Sequence, residues 1–173
     1  MKLYDLAEGI RKCTACPLHK SRMLAVPGEG SENAKIMFIG GAPGSEEDRQ
    51  GLPLIGKYEL MLNQLLKVLK LKREEVFLTN VVKCHPPENR IPLDKEIKIC
   101  GELWLEKQIN LIKPKLVVLL GKVAVKSLLG KVSELDEKIV EKDGIKYFAT
   151  YNSVIDSSKI KKLMEEDLTH LTK

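Results

Sequence analysis

No apolar run in this chain approaches the roughly 20 residues of a membrane-spanning helix, so a helical crossing of the bilayer is not expected. The amino terminus, MKLYDLAEGIRKC, has charges where a signal peptide needs its apolar segment. A cytoplasmic protein with no membrane partner is therefore expected. Absent too are the Gly-Lys-Ser/Thr that closes a phosphate loop and the Gly-x-Gly-x-x-Gly of a dinucleotide site, which sets aside two common nucleotide-binding classes. There is no internal repeat and no low-complexity segment, so repeat arrays are excluded. Glutamine is scarce beside abundant Lys, Glu, Ile, Val and Leu, the balance of a thermophile. Cysteines number only four, and in a reducing cytoplasm they argue for metal binding or catalysis before disulfides, although cytosolic proteins of thermophiles sometimes keep disulfides.

A chain of 173 residues is expected to form one domain, residues 1–173, with a sizeable core. Lys and Arg exceed Asp and Glu by 29 to 24, and the resulting charge of +5 permits an anionic partner without demanding one. The organising stretch is residues 36–56, IMFIGGAPGSEEDRQGLPLIG. Its first four residues form a nearly unbroken apolar run, the pattern of a strand buried on both faces, which needs helices on both sides. The Gly-Gly-Ala-Pro-Gly turn that follows lets backbone amides approach a ligand at the carboxyl edge of a sheet. Gly41 and Ala42 are candidate ligand contacts there, and the acidic run Glu46-Glu47-Asp48 disfavours phosphates and suits a small, neutral, planar ligand.

Hydrophobic spacing predicts helices over 1–12, 58–71, 94–112, 121–129 and 160–171, and further buried strands over 76–82 and 116–120. Residues 139–151 read as two short strands around Asp143-Gly144, the second ending at Tyr151-Asn152-Ser153. Residues 21–33 and the proline-rich 83–92 read as loops. Thr79-Asn80 is a polar pair at the end of a buried strand, facing the same edge as the glycine-rich turn. Any of Glu46, Glu47 and Asp48 is a candidate to position water, and the same residues suit a helix-capping role. Lys83, His85, Arg90, Lys122 and Lys126 are candidates to meet phosphates.

The cysteines are Cys13 and Cys16, from a Cys-x-x-Cys turn, and the distant Cys84 and Cys100. Four thiolates suit a tetrahedral zinc or a [4Fe-4S] cluster, and the count alone does not separate them. Structural zinc sites usually draw on two compact knuckles, whereas Cys84 and Cys100 come from a loop and a helix, so the spacing favours iron-sulfur with zinc as the alternative.

Taken together, CTACPL, AVPGEG, the loop pattern G-x-A-P-G-x-x-E-D-x-x-G-x-P, TNVVKCHPPENRIP and KPKLVVLLGKVAVKSLLG make the chain resemble the family 4, iron-sulfur uracil-DNA glycosylases. The resemblance implies a three-layer α/β/α sandwich around a central parallel four-stranded sheet. It implies that Cys13, Cys16, Cys84 and Cys100 hold a [4Fe-4S] cluster and that Asn80 reads uracil. The implied activity is base-excision repair, in which the N-glycosidic bond of a flipped nucleotide is hydrolysed. Three departures fall in the implied pocket. The usual glutamate is Gly41, the stacking phenylalanine is Leu54, and the His-Pro-Ser segment is Tyr151-Asn152-Ser153, which puts Asn152 where a histidine steadies the departing uracil. The Leu-Arg that ordinarily follows into the DNA is missing. Ordinary uracil excision is therefore expected to be weak, altered or lost. The alternative is a catalytically inactive, cluster-bearing module that binds DNA or protein. Single-stranded or damaged DNA is the expected partner, contacted by Lys83, Arg90 and Lys122, with repair or replication proteins as further candidates and the chain itself a monomer.

Overall fold

A computed structural model describes residues 1–130, 137–151 and 157–168. Helix α1 spans Leu3–Arg11, strand β1 Glu29–Gly30 and strand β2 Ile36–Gly40. Helices α2, Ser45–Gln50, and α3, Glu59–Leu69, precede strand β3, Phe77–Asn80. Helix α4, Asp94–Cys100, runs through a π-helical turn, Gly101–Leu105, into α5, Glu106–Ile112. Strand β4, Leu116–Leu120, leads to helix α6, Lys122–Leu129, and the hairpin of β5, Ile139–Lys142, and β6, Ile145–Thr150, precedes helix α7, Ser157–Leu168. Among the described residues no helix is long and apolar enough to cross a membrane.

The strands form one sheet in the order β1-β3-β2-β4-β6-β5. Its four inner strands are parallel, as the resemblance implies, and the edge strands β1 and β5 pair antiparallel. Because side chains alternate across a strand, the apolar runs divide between two cores. Met37, Ile39, Val117, Leu119, Tyr147 and Ala149 face one side, where they meet Ile10 of α1, Ile109 of α5 and Ala124 of α6. Ile36, Phe38, Leu78, Val118 and Phe148 face the other, against Leu62, Leu65 and Leu66 of α3 and Ile160 of α7. Helices thus cover both faces of the sheet.

Three elements differ from the sequence expectation. Residues 94–112 are not one regular helix, because the turn after Cys100 widens to a π turn; such turns recur at functional sites. The acidic run forms the short helix α2, with Glu46, Glu47 and Asp48 in its first turn, where carboxylates complement the helix dipole. Residues 21–33 contain β1, which adds an edge to the sheet beside β3.

Strand β1 depends on a close backbone approach. Gly30 has φ +124°, and a Cβ there would lie 1.8 Å from the Val76 carbonyl oxygen. Beside it, Arg73 pairs with Glu29 at 2.7 Å and donates to the Pro53 carbonyl at 2.9 Å, which ties this edge to the loop before α3. Gly30→Ala should therefore lower stability by about 1–3 kcal/mol, combining backbone strain with a clash. Thermal or urea unfolding followed by circular dichroism checks this, and an unchanged midpoint would mean that the edge is dispensable.

Candidate functional site

Gly40 and Asn80 are direct neighbours at the carboxyl ends of two parallel strands. The ladder continues past them, Val81 N–H donating to the Gly40 carbonyl at 2.9 Å and Val82 N–H to that of Gly41 at 3.2 Å. A Cβ on Gly40 would lie 2.4 Å from Asn80 Oδ1 and 3.1 Å from Leu54 Cδ2, so the glycine leaves room for the Asn80 amide and Leu54 closes the same corner. Asn80 is 1% exposed. Its Nδ2 is the one buried side-chain nitrogen or oxygen among the described residues that has no hydrogen-bond partner. Leaving such a donor open costs about 1–3 kcal/mol, which a ligand carbonyl would return.

Leu54 is buried and held at φ +53°, a left-handed conformation uncommon for a leucine. Gly41, in the loop after β2, sits against α6. A Cβ there would stand 2.9 Å from Val123 Cβ, so the half-buried Val123 of α6 occupies the space beside it. Ala42 is half-buried in the same loop.

The acidic residues serve this loop mechanically. Glu47 is buried, accepting from Gly44 N–H through Oε2 at 3.0 Å and from Gly56 N–H through Oε1 at 2.9 Å. Asp48, also buried, accepts from the Met23 and Leu24 amides at 2.9 and 3.4 Å through Oδ1. Its Oδ2 lies 3.7 Å from His85 Nδ1, and the other nitrogen of that ring is 2.6 Å from Asn89 Oδ1. Glu46 points outward and binds Arg49 at 2.7 Å and Gln50 at 3.1 Å. These contacts give Glu47 and Asp48 a capping and loop-anchoring role, and Glu46 belongs to an exposed ion pair.

The expected phosphate contacts separate. Lys83 is corrected outright: it is 1% exposed, so its ammonium cannot meet a phosphate on the surface. It donates instead to Thr79 Oγ1 at 2.7 Å, the Asn80 carbonyl at 2.7 Å and Gln108 Oε1 at 2.6 Å. Burial pulls its pKa down to about 7, with Cys100 acting the other way. Arg90 is committed to Glu96 by two hydrogen bonds, at 3.0 and 2.8 Å, and this partnership holds the Glu96 carboxyl below its ordinary range. Lys126 pairs with Asp94 at 3.0 Å in an exposed position. Lys122 is exposed at the start of α6, its Nζ 5.9 Å from the centre of the Tyr151 ring. Asn152 lies outside the described residues.

Cys13, Cys16, Cys84 and Cys100, all free thiols, line one pocket together with Arg22 and Trp104. Cys13 follows α1, Cys16 precedes a short 3-10 turn, Cys84 follows β3, and Cys100 ends α4 where the π turn begins. N–H groups point at three of the sulfurs: Arg22 at Cys84 (3.1 Å), Trp104 at Cys13 (3.3 Å) and the Lys83 main chain at Cys100 (3.3 Å). Gly9 lets Trp104 close over α1, since a Cβ there would come within 2.7 Å of the ring. Burial pushes the Cys100 thiol up to about 12 and raises Cys16 and Cys84 as well. A bound metal would reverse that by favouring thiolates. Among the described residues, however, no group of three or more His, Cys, Asp or Glu gathers in the manner of a site for a metal ion.

Sequence reasoning did not single out Gln108, Trp104, Arg22 or Val123. Only Trp104 carried any signal, as the single tryptophan of the chain, on the helix that bears Cys100.

The model of the uracil DNA glycosylase superfamily matches residues 27–165. A type-4 uracil-DNA glycosylase of Sulfurisphaera tokodaii is 38% identical over 179 residues, covering 95% of this chain and 81% of that protein. One from Saccharolobus solfataricus is 40% identical, covering 94% and 81%, and one from Pyrobaculum aerophilum is 41% identical, covering 83% and 73%. With these matches running through the glycine-rich loop, Asn80 and the strands that carry them, the chain belongs to the uracil-DNA glycosylase superfamily, among its type-4 members.

Proposed function

We propose that the chain reads uracil in DNA at the carboxyl edge of its sheet, with hydrolysis of the N-glycosidic bond reduced or lost. The observation that carries the reading is the buried, unpartnered Nδ2 of the Asn80 amide, which packs against Gly40. Its Nδ2 donates to a uracil carbonyl and its Oδ1 accepts from the imide N–H, a complement that an extruded base can meet and a stacked one cannot. Leu54 offers dispersion but no π face. At position 152 an asparagine can donate a hydrogen bond but cannot carry the positive charge that steadies a departing uracil anion. Val123 beside Gly41 favours reduced catalysis further, because it fills the space that the glutamate implied by the resemblance would need.

Cys13, Cys16, Cys84 and Cys100 are the proposed ligands of a [4Fe-4S] cluster, with zinc as the alternative. Support comes from their shared pocket and from the N–H groups aimed at three of the sulfurs, which suit thiolates. Such a cluster would clip the end of α1, the loop after β3 and the end of α4 to one another. We further propose that the chain works as one domain and as a monomer in the cytoplasm, where thiols stay free, on single-stranded or damaged DNA beside repair or replication proteins.

On single-stranded oligonucleotides bearing uracil, excision should run about 10²- to 10³-fold slower than for a type-4 enzyme assayed alongside. Alkaline strand cleavage after incubation measures it, and a rate equal to the relative's would refute reduced catalysis. Gly41→Glu should restore nothing unless Val123→Ala makes room, and Asn80→Ala should erase any preference for uracil over thymine in binding.

Purified without oxygen, the protein should be brown and carry about four irons per chain. Cys84→Ala should bleach it. A colourless wild-type protein with one stoichiometric zinc would replace the cluster with the alternative.

Binding to DNA should weaken as salt rises, because cationic contacts release counterions. Lys122→Ala should lower the slope of log affinity against log salt by about 1, without changing base preference. Fluorescence anisotropy at several salt concentrations tests this. Lack of binding to either strand form at low salt would exclude DNA as the partner and favour the protein-binding alternative.

A further inference from the structure

Lys83 touches both halves of the site. Its main-chain N–H donates to Cys100 Sγ at 3.3 Å, and its side chain donates to the carbonyl of Asn80 at 2.7 Å. The remaining ammonium hydrogens go to Thr79 Oγ1 and Gln108 Oε1. Gln108 is itself buried and fixed, its Nε2 donating to the Pro27 carbonyl at 2.7 Å. All three donors of the ammonium are therefore satisfied, yet every acceptor is neutral, and no carboxylate pairs with Lys83 among the described residues. A buried charge with hydrogen bonds but no counter-charge is costly, and proteins ordinarily retain one only opposite an anion. The pocket of four cysteines, which Lys83 also lines, is where that anion would be, since metal binding converts thiols to thiolates.

We propose that Lys83 is a positioning residue joining the two halves: its ammonium holds the main chain that carries Asn80 and supplies the positive charge beside an anionic iron-sulfur group. This rests on the cluster and base-reading assignments made above. It accounts for a lysine rather than a neutral residue at a site 1% exposed.

The test uses the whole chain, reconstituted anaerobically with iron and sulfide, as wild type and as Lys83→Met, Lys83→Gln and Lys83→Arg. Iron content and colour of the wild type come first, and a wild type that takes up no iron overturns the cluster assignment and this inference with it. With a loaded wild type, the redox titration of the cluster, followed by electron paramagnetic resonance, reads the charge. Lys83→Met should shift the midpoint potential to more negative values, because adding an electron beside a lost cation is harder, and Lys83→Arg should stay near wild type. Binding of uracil- against thymine-bearing single strands reads the positioning, and the preference should fall severalfold in Lys83→Met and be retained in Lys83→Arg. An unchanged potential or an unchanged base preference in a folded, loaded Lys83→Met protein overturns the proposal. Should Lys83→Met fail to fold or to hold iron, recovery of the loaded protein by Lys83→Arg and not by Lys83→Gln supports it. Recovery by both, or by neither, overturns it.

Discussion

The pairing of Gly40 with Asn80 across two parallel strands is the constraint on which the rest of the site depends. Parallel strands in register end at the same level, so the two chains leave the sheet side by side and their loops must share one edge. Where they part, a side chain on Gly40 would collide with the Asn80 amide, and the missing Cβ is what allows an asparagine to be buried there with its Nδ2 open. Leu54, bent into a left-handed conformation, closes the corner from the loop between α2 and α3.

Loops that must hold such a corner need fastening, because loop backbone carries no ladder of its own. The buried carboxylates do this. Glu47 grips the amides at both ends of its loop, Asp48 grips the segment at residues 23–24, and Arg73 reaches from the far side to the carbonyl of Pro53. A carboxylate that accepts main-chain N–H groups is well solvated by them, which is why two acids survive burial beside a neutral pocket.

Alternation along β3 connects the reading edge to the cysteine pocket. Thr79 points into the layer of α1, α4 and α5, meeting Gln108 of α5, while Asn80, one residue on, points to the side where Leu54 lies. The cysteine pocket belongs to the first layer and the open amide to the second. Chain that follows β3 must serve both, and it does so within a few residues: Val81 and Val82 continue the ladder, Lys83 turns inward, and Cys84 joins the pocket.

Much of this was written in the sequence in local form. Unbroken apolar runs mark β2 and β4 as buried on both faces, Asp143-Gly144 marks the hairpin of β5 and β6, and Cys-x-x-Cys and Asn80 after an apolar strand mark the two halves of the site. These signals are legible because each depends on neighbours a few residues away. What tertiary structure alone decided are the contacts between distant segments. The two-residue strand β1 exists because Gly30 can approach Val76, and the acids after the glycine-rich turn became anchors because the amides of Met23 and Gly56 arrive from elsewhere in the chain. Val123 fills the space beside Gly41 only once α6 packs against the end of β2. Lys83 reads in the sequence as one more surface cation. It is buried because Thr79, Gln108 and the carbonyl of Asn80 converge on it, and no local pattern encodes a convergence of three acceptors from a strand and a helix.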